Sequence, residues 1–108
     1  MSAENNIITV EKLIYLMSND KLNGTQKEKL LKAIKSMQIA TEIQKERFIL
    51  FYGLSKKRKN YFEIAQKYDC SYTAVRSSIL ETKNKLSRVE NVMDIIKEIV
   101  SECEEKKD

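Results

Sequence analysis

Apolar residues recur at three- and four-residue steps along most of the chain, a spacing that places them on one face of an α-helix. The first such stretch runs from about Thr9 to Met17, where Val10, Leu13, Ile14 and Met17 share a face, and Asn19-Asp20 and Asn23-Gly24 interrupt it. Thr25 is expected to cap a second helix. Glu28, three residues on, completes a capping-box pattern, and Leu30, Leu31, Ile34 and Met37 form the apolar stripe. A third helix follows Thr41, runs through Ile43, Phe48, Leu50 and Phe51, and stops at Gly53. The run SKKRKN before Tyr61 holds four consecutive basic residues that cannot be buried, so it reads as a loop.

From Tyr61 to Leu86 the spacing meets the demands of two helices crossing steeply through a short turn. Ile64 faces the core, and Ala65 beside it is small enough to let the second helix approach. Tyr68 completes the first apolar face. Asp69 falls at the turn position where a positive φ is often needed, which Asp and Asn tolerate better than most residues. Cys70 is expected to tuck inward, and Ser71 is placed to cap the second helix. Within that helix Val75, Ile79 and Leu86 point inward, leaving Tyr72, Thr73, Arg76, Ser77 and Lys83 on outer faces.

A last helix, from about Val89 to Glu104, carries Val89, Val92, Met93, Ile96, Ile99, Val100 and Cys103 on one stripe with acidic residues opposite. Something must cover that stripe: either the amino-terminal helices of the same chain, or a second copy along a homodimer seam. Together the elements predict an all-α fold. A helix-turn-helix core of three to four helices (41–88) would lie between an amino-terminal helix pair (1–40) and the carboxy-terminal amphipathic helix with its acidic tail (89–108), all in one compact domain.

Composition agrees with an all-α reading: the 108 residues include no proline and only two glycines. No window approaches the roughly 18 apolar residues needed to span a bilayer. The start, MSAENNIITV, lacks a signal-peptide layout, so the expectation is a cytoplasmic protein without a membrane partner. There is no histidine, the commonest general base, and no Gly-rich phosphate loop or acidic metal cluster is apparent. The chain is therefore expected to be a binding protein rather than an enzyme, with no cofactor or metal. Cys70 and Cys103, widely spaced and without histidine partners, read as small core residues.

Charge adds the decisive asymmetry. Residues 1–42 hold six Lys against five acids, about +1, whereas residues 43–88 hold eleven Lys/Arg against four acids, about +7. Residues 89–108 hold three Lys against seven acids, about −4. A basic centre around a helix pair of this spacing points to double-stranded DNA. A helix so presented enters the major groove with its amino-terminal residues against base edges. Tyr72, Thr73, Arg76 and Ser77 are the expected base contacts, Arg76 foremost because guanidinium pairs bidentately with guanine. Lys56, Lys57, Arg58, Lys59, Ser71, Lys83, Lys85 and Arg88 are the expected phosphate contacts.

These residues also resemble a known family. Tyr52-Gly53-Leu54, Glu63-Ile64-Ala65, Ser71, Val75-Arg76 and Lys85-Leu86 resemble region four of bacterial sigma factors, the domain that reads the upstream promoter element. LLKAIKSM at 30–37 and QKERFILF at 44–51 resemble the helices before its reading motif, so the likeness covers roughly residues 30–88. LuxR-type output domains share much of the same frame. Two positions depart from it: Asp69 stands where glycine is common, and Arg47 near a usually apolar position, so the third helix is expected to pack differently. Nothing in the first 40 residues resembles the promoter-melting region. The resemblance thus implies a free-standing transcription regulator that binds DNA and touches RNA polymerase through the helices before the motif. The alternative is an interaction module that binds polymerase or a sigma factor with little DNA specificity.

Overall fold

The computed structural model describes residues 3 to 105, and among them six helices account for all regular structure. They are α1 (Ala3–Ser18), α2 (Gly24–Lys35), α3 (Glu42–Tyr52), α4 (Tyr61–Tyr68), α5 (Tyr72–Leu86) and α6 (Glu90–Glu105). Among the described residues no helix is long and apolar enough to cross a membrane.

Two boundaries differ from the sequence expectation. α1 begins at Ala3, six residues before Thr9, through Asn5, Asn6, Ile7 and Ile8. Ile7 continues the step of Val10 and Ile14, but Asn5 and Asn6 are weak helix formers, and Ile7 and Ile8 are exposed. A tertiary contact holds this extra turn, since Asn6 Nδ2 donates to the carbonyl of Ser87 at 3.1 Å. The cap of α2 is Asn23, not Thr25. Asn23 Oδ1 accepts from the Gln26 amide at 2.8 Å, and Gln26 Oε1 accepts from the Asn23 amide at 2.9 Å. Gln26 is only 3% exposed, and its Nε2 donates to Glu102 of α6 at 3.0 Å. That tertiary partner selects the earlier of two workable caps, each of which satisfies first-turn amides.

The other caps follow the chain. Thr41 and Gln44 form a reciprocal box at the start of α3, and Asn60 and Glu63 form one at the start of α4. Gly53 closes α3 at φ 64°, a left-handed conformation. A Cβ there would also lie 2.5 Å from Arg58 Cγ and 3.2 Å from the Lys56 carbonyl, so glycine is needed for space as well as for φ.

The helices sort into two packed groups. α6 lies against both α1 and α2, while α3 is the centre of the other group, packing on α5, α4 and α2. One continuous core joins them, with Leu13, Leu30, Ile34, Phe48, Ile64, Val75, Leu86, Val92 and Ile96 fully buried. The α6 stripe belongs to this core: Val92, Met93, Ile96, Ile99 and Val100 are buried, and Val89 and Cys103 pack against the same cluster. Of the two covers open to that stripe, the chain itself supplies it, through α1 and α2. The homodimer seam proposed for residues 89 to 103 is therefore corrected, because its apolar area is already removed from water within one molecule.

Candidate nucleic-acid interface

The turn between α4 and α5 has the geometry its sequence implied. Asp69 adopts φ 52°, and its amide donates to the Gln66 carbonyl at 3.3 Å. The Cys70 amide reaches back to the Ala65 carbonyl at 3.0 Å. Cys70 is half-buried against the core rather than fully inside it, as is Cys103, and both thiols are free. Ser71 then caps α5, its Oγ accepting from the Ala74 amide at 3.1 Å. The exposed Ser71 hydroxyl and the open first-turn amides behind it form an end suited to an anion.

α5 buries Val75, Ser78, Ile79, Thr82 and Leu86, which turns Thr73, Arg76 and Ser77 to solvent. These three expected base contacts lie together on the outer surface. Tyr72 is exposed on one flank and is partly engaged: Tyr61 stacks on Phe51 at 4.5 Å and meets the Tyr72 ring edge-on at 5.0 Å. This aromatic chain brings the exit of the basic loop beside the first turn of α5.

The phosphate set divides. Lys56 and Lys57 are exposed, and Lys59 is half-buried, its backbone amide tied to the Leu50 carbonyl at 3.0 Å. Arg58, in contrast, donates to the Ser18 carbonyl at 3.2 Å and lies 3.4 Å from Asp20 Oδ1, so it anchors the loop to the end of α1. Lys83 pairs with Glu11 of α1 at 2.6 Å with only 23% of its side chain exposed, and Lys85 donates to Gln44 Oε1 of α3 at 3.0 Å. Three of the eight expected phosphate contacts, Arg58, Lys83 and Lys85, thus also have acceptors within the chain. The carboxy-terminal half of α5 runs between α1 and α3, where Lys83 and Lys85 meet Glu11 and Gln44. Arg88 lies exposed past the end of α5.

Four features escaped the sequence reading. Leu80 and Asn84 share the outer face of α5 with Thr73 and Ser77, and both are exposed. Their helical step could have shown this. Lys45 is 4% exposed, its ammonium donating to the carbonyls of Lys35 and Met37 at 3.0 and 2.8 Å and pairing with Glu42. It closes the end of α2, a role no local pattern announces. Arg47, flagged as out of place, reaches Ser78 Oγ of α5 at 2.7 Å and lies 4.9 Å over the Tyr68 ring of α4, while Tyr68 bonds Glu46. It thus ties all three helices of the motif.

Burial pushes the Tyr52 phenol up to about 12, with Tyr61 adding to the shift and Arg58 opposing it. At the opposite end of the molecule a cleft of about 610 Å³ lies between α1, α2 and α6, lined by Tyr15, Leu16, Gln26, Val100 and Cys103 with Lys12, Lys21 and Glu104 at its rim. Among the described residues no group of three acidic, histidine or cysteine side chains could hold a metal ion. No protein-family model matches the chain, and none of the curated proteins or solved structures compared with it does either.

Proposed function

We propose that the protein is a DNA-binding transcription regulator of the sigma region-four-like kind, acting in the cytoplasm and reading the major groove with α5. One observation carries the reading: Thr73, Arg76 and Ser77 stand outward together on the helix that follows a capped turn, and Lys56 and Lys57 are exposed in the loop that leads into that helix pair. A helix of ordinary diameter fits the major groove, where Arg76 is placed for guanine and the hydroxyls of Thr73 and Ser77 for either donors or acceptors. Lys56, Lys57 and the Ser71-capped helix start supply contacts that orient without reading sequence.

The interaction-module alternative rests partly on the apolar stripe of α6, which the chain itself covers, and partly on the hydroxyl-rich outer positions Thr73 and Ser77, which are exposed. Mobility shifts over a range of salt, on random and promoter-derived duplexes, test the DNA reading. Specific retention that Arg76→Ala weakens by about 1 to 3 kcal/mol, with relaxed preference, is the expected result. Equal, weak and salt-sensitive binding to every duplex would overturn it.

A further inference from the structure

The outward face of α5 is not uniformly polar. Thr73, Ser77, Leu80 and Asn84 recur at four- and three-residue steps, so they form one stripe opposite Val75, Ile79, Thr82 and Leu86. In its third turn stands Leu80, 51% exposed. The buried side of α5 is complete without it: Ser78 and Thr82 meet α3 through Arg47 and Gln44. α3 meets α5 on the side of Ser78 and Thr82, away from the outer stripe. Leu80 is a large apolar side chain set singly among Ser77, Asn84 and Arg76.

We infer that Leu80 is a specificity-determining residue that packs on the C5-methyl of a thymine, which makes an A·T pair part of the recognised sequence. The inference rests on the DNA-binding reading above. Thymine alone presents a methyl group in the major groove. Leucine has no hydrogen-bonding group, so opposite cytosine or guanine it would cover a donor or acceptor and leave it unpaired. Opposite thymine the two apolar surfaces leave water together. Leu80 lies about 10 Å along the axis from Thr73, which places its thymine about three base-pair steps from the base met at the helix start.

The test uses the full chain and a duplex selected from random sequence. Each thymine is replaced singly by deoxyuridine, which lacks only the methyl, and affinity is compared for wild type, Leu80→Ala and Thr73→Ala. Melting of the variants checks that they fold. The expected result is one thymine whose methyl strengthens wild-type binding about fourfold, as burying one carbon group does, and has no effect on Leu80→Ala. Thr73→Ala retains the methyl effect and loses preference about three base pairs away. Sequence-selective binding in which no methyl couples to Leu80 overturns this inference and leaves the DNA reading intact. Loss of polymerase capture in Leu80→Ala with silent deoxyuridine substitutions overturns it in favour of a protein contact. No selective binding to any duplex removes both readings.

Discussion

The two halves of the molecule use charge in opposite ways. In the group formed by α1, α2 and α6, charged residues face each other: Lys12 lies 3.1 Å from Glu104, and Lys29 lies 2.7 Å from Glu98, whose carboxylate raises the Lys29 pKa. Glu102 accepts from Gln26 in the same seam. The acidic helix is thus an internal counterion for Lys12 of α1 and Lys29 of α2. In the group formed by α3, α4 and α5, Lys56, Lys57, Arg76 and Arg88 form no ion pair among the described residues. Exposed ion pairs add little stability, so the difference matters chiefly for the field outside the protein. In one group acidic side chains of α6 meet lysines of its neighbours, and in the other four cations stand exposed.

The comparison breaks first at the core of the neutralised half. Ile96→Ala removes a fully buried side chain from between α6 and its neighbours. It should cost about 2 to 5 kcal/mol in denaturant unfolding. The folded fraction should keep the oligomeric state of the wild type, since the stripe closes within one chain. Dissociation of a wild-type dimer at native stability would instead restore the seam.

A smaller effect lies where the halves meet. Tyr52 has its pKa raised from 10.0 to about 12. The folded state therefore holds the phenolic proton over a range where the unfolded chain has lost it. Stability from this source is complete below pH 10, falls between about 10 and 12, and then levels off. Tyr52→Phe should flatten that fall in equilibrium unfolding at high pH; an equal slope in both proteins would assign the loss to other groups.

The smallest change in stability is expected in the half with unpaired cations. Lys56→Ala with Lys57→Ala should leave unfolding within about 0.5 kcal/mol of wild type. The same pair should weaken binding to all duplexes alike and reduce the salt slope by about 2. Arg58→Ala makes the control. Because Arg58 is held by Ser18 and Asp20, it should change the salt slope less than either lysine.

Much of the α4–α5 helix pair was legible in the chain because its determinants are local. The φ of Asp69, the Ser71 cap, the Gly53 stop and the Thr41 start each depend on a few adjacent residues, and the inward set Ile64, Ala65, Val75 and Leu86 follows the helical period. The α2 cap was misplaced because two workable caps lie two residues apart, and only the contact between Gln26 and Glu102 chooses. The contacts of Arg47 and Lys45 were not legible for a related reason. A basic residue looks alike to sequence whether it meets water or a buried carbonyl.

By itself, then, the sequence determined the helical class, the turn between α4 and α5, and the concentration of positive charge in residues 43–88. Periodicity and capping are properties of short segments, and such properties survive without knowledge of neighbours. Tertiary structure alone decided that α1 and α2 cover the α6 stripe, and that Lys83, Lys85 and Arg58 are occupied while Lys56, Lys57 and Arg76 stand free. Those outcomes depend on which helices come within ion-pair distance, a choice made by packing residues far apart in the chain.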